Sequence, residues 1–104
     1  MNILISTLKE ELTTAKRLEK KYLKKISELP RGSFISRTIR GKQYGYLTFR
    51  ENRKVKQEYL GCLNEERTNF YRSAMNQRAE YKRKLKSVRE QIKIINRALR
   101  GKTK

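Results

Sequence analysis

The sequence predicts an α+β fold in which a long helix, a three-stranded antiparallel β-meander and a second long helix follow one another. The two helices are expected to close into an antiparallel, coiled-coil-like hairpin. Three observations predict it. Two long segments without internal Gly or Pro repeat apolar residues at alternating intervals of three and four. Between them the chain turns to aromatic and β-branched residues punctuated by Gly. Finally, 104 residues of which 36% are hydrophobic and 37% charged cannot fill a large core. A single domain over residues 1–104 is therefore expected.

The first helix is placed at residues 1–29. Ile5, Leu8, Leu12, Ala15, Tyr22, Ile26 and Leu29 form its heptad stripe, Glu19 fills the one polar slot, and Pro30 ends it. At a rise of ~1.5 Å per residue it would be roughly 40 Å long. The second helix is placed at residues 64–100. Asn64 is its N-cap, and Glu65 and Glu66 suit the positive end of the helix dipole. Its stripe is Ala74, Tyr81, Leu85, Val88, Ile92, Ile95 and Leu99, with Arg78 in the polar slot and Phe70 and Tyr71 upstream. Gly101 is the expected stop, leaving 101–104 as a basic tail. Two such stripes can satisfy each other within a monomer or pair with a second copy as a homodimer; the intramolecular pair is the expectation.

The meander is placed at residues 33–60, with strands Ser33 to Arg40, Tyr44 to Arg50 and Lys54 to Leu60. Gly41-Lys42-Gln43 and Glu51-Asn52-Arg53 connect them, and Gly61 closes the sheet. So small a sheet needs one face covered, and the helices are the available cover. Strand alternation then assigns Ile35, Ile39, Leu47, Phe49, Val55 and Tyr59 to the core face. The opposite face collects Phe34, Thr38, Arg40, Tyr44, Tyr46, Thr48, Arg50, Lys54 and Lys56, free of carboxylates until Glu58.

The charge balance points to a partner. With 28 Lys plus Arg against 10 Asp plus Glu, the net charge is +18. The excess is spread along the chain: 7 positive and 4 negative charges in residues 1–29, 8 and 2 in 30–63, and 13 and 4 in 64–104. Such a chain repels itself unless an anion neutralises it, and nucleic acid is the usual intracellular polyanion. The expected contacts to phosphates are Arg37, Arg40, Lys42, Arg50, Arg53, Lys54 and Lys56, joined by Lys82, Arg83 and Lys86 on the second helix, where cations surround more than one side of the cylinder. Tyr44 and Tyr46 are the expected stacking or sugar-contacting groups. The plainer alternative is a sheet whose tyrosines pack across strands and whose cations are solvated.

Enzymatic chemistry has little to stand on. Without His, the commonest general base and metal ligand are missing together. The single Cys62 can form neither an internal disulfide nor a thiolate zinc site. Glu51, Glu58, Glu65 and Glu66 show no metal-chelating spacing, and Gly32, Gly41, Gly45 and Gly61 form no phosphate-cradling motif. No enzyme activity, cofactor or metal is expected. The opening MNILISTLKEEL lacks a positive residue before its apolar stretch, unlike a secretory signal, and no apolar run approaches membrane-spanning length. A cytoplasmic protein without membrane contact is the expectation.

The segment LPRGSFISRTIRGKQYGYLTFRENRKVKQEYLG, Leu29 to Gly61, resembles a small prokaryotic family of unknown function. That family combines an LP-G-S start, a G-x-x-Y-x-Y-L strand, an R-x-x-x-K-V strand and a Y-L-G end with a long basic helix after it. The strand grammar is also similar to the N-terminal strand modules of some transposases and to the three-stranded sheet of integrase arm-binding domains, which place a sheet against DNA. Small basic proteins of this kind are typical of phages and other mobile elements. The resemblance thus implies either a DNA- or RNA-binding protein or an inhibitor of a host nucleoprotein, such as an anti-CRISPR protein acting on an RNA-guided nuclease or its guide RNA.

Overall fold

The structure is a computed structural model and describes residues 3–102. Its element order is α1 (Ile3–Glu28), β1 (Ser33–Ile39), β2 (Lys42–Glu51), β3 (Lys54–Cys62) and α2 (Glu65–Lys102), with the antiparallel sheet in the order β1-β2-β3. The fold class and the element order are those expected. Several boundaries move. Gly101 lies within α2 and does not stop it, so no tail begins at residue 101; Thr103 and Lys104, like Met1 and Asn2, lie outside the described residues. One glycine near a helix end is a weak breaker when the flanking residues continue the hydrogen-bonded turns. Among the described residues no helix is long and apolar enough to cross a membrane.

The chain divides into two compact units, the described parts of Met1–Ile26 with Glu80–Lys104, and Ser27–Ala79. In the first, α1 runs antiparallel to the C-terminal part of α2. Ala15, Leu85 and Val88 are buried along the seam, as the heptad stripes require. Tyr22 and Tyr81 meet at a ring-centroid distance of 6.0 Å. The polar slot is occupied rather than wasted: the Glu19 carboxylate accepts a hydrogen bond from Arg89 Nε at 3.0 Å.

In the second unit the sheet lays one face on the N-terminal part of α2. Phe34 stacks on Tyr71 at 5.5 Å, and Leu47 and Ala74 are buried. Asn64 caps α2 as its sequence position suggests, its Oδ1 accepting from the Arg67 amide at 2.7 Å. Arg67 reaches back to donate to the carbonyls of Leu60 and Cys62. Arg78, in the polar slot of α2, donates to the Leu29 carbonyl just past the end of α1, one of the acceptors a helix terminus leaves open.

Both hairpin turns are one residue shorter than expected. Three-residue connections would pair Arg40 with Tyr44 and Arg50 with Lys54. Instead two-residue turns, Arg40-Gly41 and Asn52-Arg53, pair Ile39 with Lys42 and Glu51 with Lys54. All four turn residues have positive φ: 52° at Arg40, 81° at Gly41, 53° at Asn52 and 66° at Arg53. This is the handedness that matches the twist of flanking strands. A one-residue change in a turn sends every side chain of the next strand to the other face.

Arg53 occupies a turn position where glycine is the usual residue. An L-residue held left-handed costs roughly 1–2 kcal/mol, against roughly 0.5–1 kcal/mol for the extra unfolded-state freedom of Gly. Arg53→Gly is expected to raise the Tm by about 4–8 °C, corresponding to a net gain of about 1 kcal/mol. A thermal melt that is unchanged or lowered would contradict this turn geometry.

Candidate functional site

The register rewrites the two faces of the sheet. Phe34 pairs with Leu47 and Lys56 with Phe49, and antiparallel partners project to the same side. The covered face therefore holds Phe34, Leu47 and Phe49, together with Thr38, Lys54 and Lys56. The expected assignment of Phe34, Thr38, Lys54 and Lys56 to the tyrosine face is corrected, because both turns have two residues rather than three. The same shift overturns the core assignment of Ile35, Ile39, Val55 and Tyr59. Ile35 pairs with Tyr46, Val55 with Arg50 and Tyr59 with Tyr46, which puts all four on the open face. Ile39, Val55 and Tyr59 remain 49%, 64% and 60% exposed. Leu47 and Phe49 stay on the core side as expected.

The open face thus joins cations to an aromatic and aliphatic floor. Tyr46 and Tyr59 approach to 5.4 Å between ring centroids and Tyr44 and Tyr59 to 6.4 Å. The Arg37 guanidinium lies 5.2 Å over the Tyr46 ring. Lys42 and Arg50 stand on the same face, opposite Ile39 and Val55. Among the described residues Arg37, Lys42 and Arg50 form no ion pair. Both carboxylates of the sheet project the other way: Glu51 pairs with Lys54 and Glu58 with Leu47.

A bulge helps to shape this face. Between Gly45 and Tyr46 the β2–β3 register shifts, Gly45 pairing with Gly61 and Tyr46 with Tyr59, so that Leu60 is the extra residue. Such an insertion bends and twists its strand. It lies between the β3 partners of Tyr44 and Tyr46, Cys62 and Tyr59.

The other proposed contacts are scattered. Arg40 and Arg53 sit in the two turns, on neither face. Lys56 lies on the covered side with its Nζ 3.8 Å from Glu51 Oε1, beside the 2.8 Å pair of Arg31 with the same carboxylate. Arg31 also caps the Phe49 ring at 4.0 Å, so this cluster is already engaged within the protein. Lys82, Arg83 and Lys86 are exposed on the part of α2 that belongs to the helical unit.

That helical unit has a concentration of charge that helical periodicity alone does not single out. Lys9, Lys93, Asn96, Arg97, Leu99 and Arg100 line a groove of about 440 Å³. Spacings of three and four along α2 predict that Lys93, Arg97 and Arg100 share one side; their meeting with Lys9 needs the antiparallel pairing. Tyr59 is the main omission on the sheet. Reading Arg40-Gly41 and Asn52-Arg53 as two-residue turns would have revealed it, since Gly and Asn are the residues that tolerate positive φ.

Among the described residues no three His, Cys, Asp or Glu side chains gather where they could hold a metal ion, and Cys62 is an exposed free thiol. No curated protein and no solved structure matches the chain. Residues 8–66, covering the sheet, most of α1 and the start of α2, match DUF6788, described as a domain of unknown function. With more than half of its length in that match, the chain belongs to the DUF6788 family.

Proposed function

We propose that this chain is a non-enzymatic nucleic-acid-binding protein of the cytoplasm, belonging to a phage or mobile element. It binds through the open face of its sheet, with Arg37, Lys42 and Arg50 on phosphates and the tyrosines on bases or sugars. Arg40 and Arg53 add charge at the turns, and Lys82, Arg83 and Lys86 add it on α2. The observation that carries this reading is the confinement of the sheet's carboxylates to one side, where Glu51 and Glu58 project with Lys54 and Lys56, while Arg37, Lys42 and Arg50, without ion pairs among the described residues, share the other face with three clustered tyrosines. A solvated surface has no need of that sorting, whereas a polyanion repelled by carboxylates does.

Phosphate neutralisation releases counterions, so affinity should fall steeply with salt. With about six phosphates engaged, the log of the affinity measured by fluorescence anisotropy should fall against log salt with a slope of about −4 to −5. An affinity indifferent to salt removes the proposal.

A second reading, inhibition of a host nucleoprotein such as an RNA-guided nuclease, is favoured by one observation. Ile39 and Val55 are 49% and 64% exposed on the open face, and neither can neutralise a phosphate, whereas an apolar protein surface would cover both. An inhibitor of this kind would retain its partner from a lysate after nuclease treatment. A nucleic-acid binder would lose it.

A further inference from the structure

We infer that the nucleic acid taken by the open sheet face is single-stranded, with unpaired bases stacked on Tyr44, Tyr46 and Tyr59. The inference rests on the nucleic-acid reading above and narrows it. The three rings form one cluster, with Tyr59 5.4 Å from Tyr46 and 6.4 Å from Tyr44. Tyr59 is 60% exposed, and the neighbouring Val55 is left open to a similar degree. A duplex has little use for such a surface, because its base faces are already stacked on one another and it offers phosphates and groove edges. Unpaired bases offer their π-faces, and stacking on rings is tolerant of sequence.

Spacing supports the same conclusion. Tyr44 and Tyr46 are two residues apart on β2 and project to one side, which separates their Cα atoms by about 6.8 Å along the strand. Successive bases in a duplex strand are only about 3.4 Å apart. Rings at twice that interval suit bases splayed along an extended strand. The charges are placed to accompany them: Arg37 lies over the Tyr46 ring, and Lys42 and Arg50 stand on the same face, so a base on the more exposed Tyr59 ring has cations beside it for its phosphates, and a base on Tyr46 would take the place of Arg37.

The test compares a labelled strand of twelve thymidines with the duplex it forms with twelve adenosines, using the full chain at one fixed salt concentration. The strand should bind more tightly than the duplex despite its lower charge density. The protein has 6 Tyr and no Trp, so its intrinsic tyrosine emission should be quenched by the strand and much less by the duplex. Tyr59→Leu, which keeps apolar volume without a flat ring, should weaken strand binding about tenfold and duplex binding less than twofold. Tyr59→Phe should behave as the parent, and thermal melts confirm that each variant is folded. Equal binding of strand and duplex, undiminished in Tyr59→Leu, overturns the inference and leaves phosphate binding standing. Binding to neither the strand nor the duplex would bring down the nucleic-acid reading itself.

Discussion

Leu85→Asp should shift the cooperative unfolding transition to a much lower temperature. Leu85 is 7% exposed in the seam between α1 and the C-terminal part of α2, where Ala15 and Val88 are also buried. The substitution removes an apolar side chain and leaves a carboxylate in its place with water excluded. The cationic chains of this unit are surface residues, and Arg89 is already committed to Glu19 at 3.0 Å. Loss of a buried Leu together with burial of an unpaired charge costs roughly 3–5 kcal/mol. A domain of this size holds only about 5–15 kcal/mol in total, and the margin here is thin because no side chain among the described residues is less than 2% exposed. The expected result is a Tm lowered by about 20 °C, with a matching loss of helical circular dichroism. Ile94→Asp is the control: Ile94 is 63% exposed on the same helix and its replacement should shift the Tm by only a few degrees. Equal melts for the two variants would mean that the seam lies elsewhere.

The second large effect is expected at Gly32, between Pro30 and the first strand. Its φ is +88°, and a Cβ built there would lie 2.2 Å from the Thr48 carbonyl oxygen and 2.9 Å from the carbonyl carbon. Those are backbone atoms of the central strand, opposite Ser33 at the first β1–β2 pair, so they cannot swing away as a side-chain tip would. Gly32→Ala therefore combines left-handed strain with a clash that must part the two strands at their first pair, for a cost of about 3 kcal/mol. Gly41→Ala isolates the clash. Gly41 has a similar φ of +81°, and a methyl group there would have nothing within 4 Å, so only the conformational cost of about 1 kcal/mol remains. In chemical denaturation the Gly32 variant should lose markedly more stability than the Gly41 variant. Comparable losses would show that the approach of Gly32 to Thr48 is looser than 2.2 Å implies.

Much of the fold is legible from residue order alone. Helical periodicity is a local property, and the stripes of α1 and α2 are apolar at spacings only a helix can use, so Ala15, Ala74, Leu85 and Val88 can be assigned to buried positions without knowing any partner. Asn64 before Glu65 and Glu66 marks a helix start for the same reason: a cap acts on the amides two and three residues ahead. The central segment's aromatic and β-branched composition similarly identifies three strands.

The faces of those strands are not legible in this way, because alternation says which residues alternate but not which side each strand presents. That is set by turn length, and two turns of two residues transfer Ile35, Ile39, Val55 and Tyr59 to the open side and Phe34, Lys54 and Lys56 to the covered one. Composition and local periodicity are enough to establish the helix–meander–helix order, the strong positive charge and the lack of histidine chemistry. Only the folded chain gathers three tyrosines with Arg37 on a carboxylate-free face, brings Arg89 to Glu19 and joins Lys9 to Arg97 in one groove. Each depends on strand register or helix pairing, and both are settled by contacts between residues far apart in the chain.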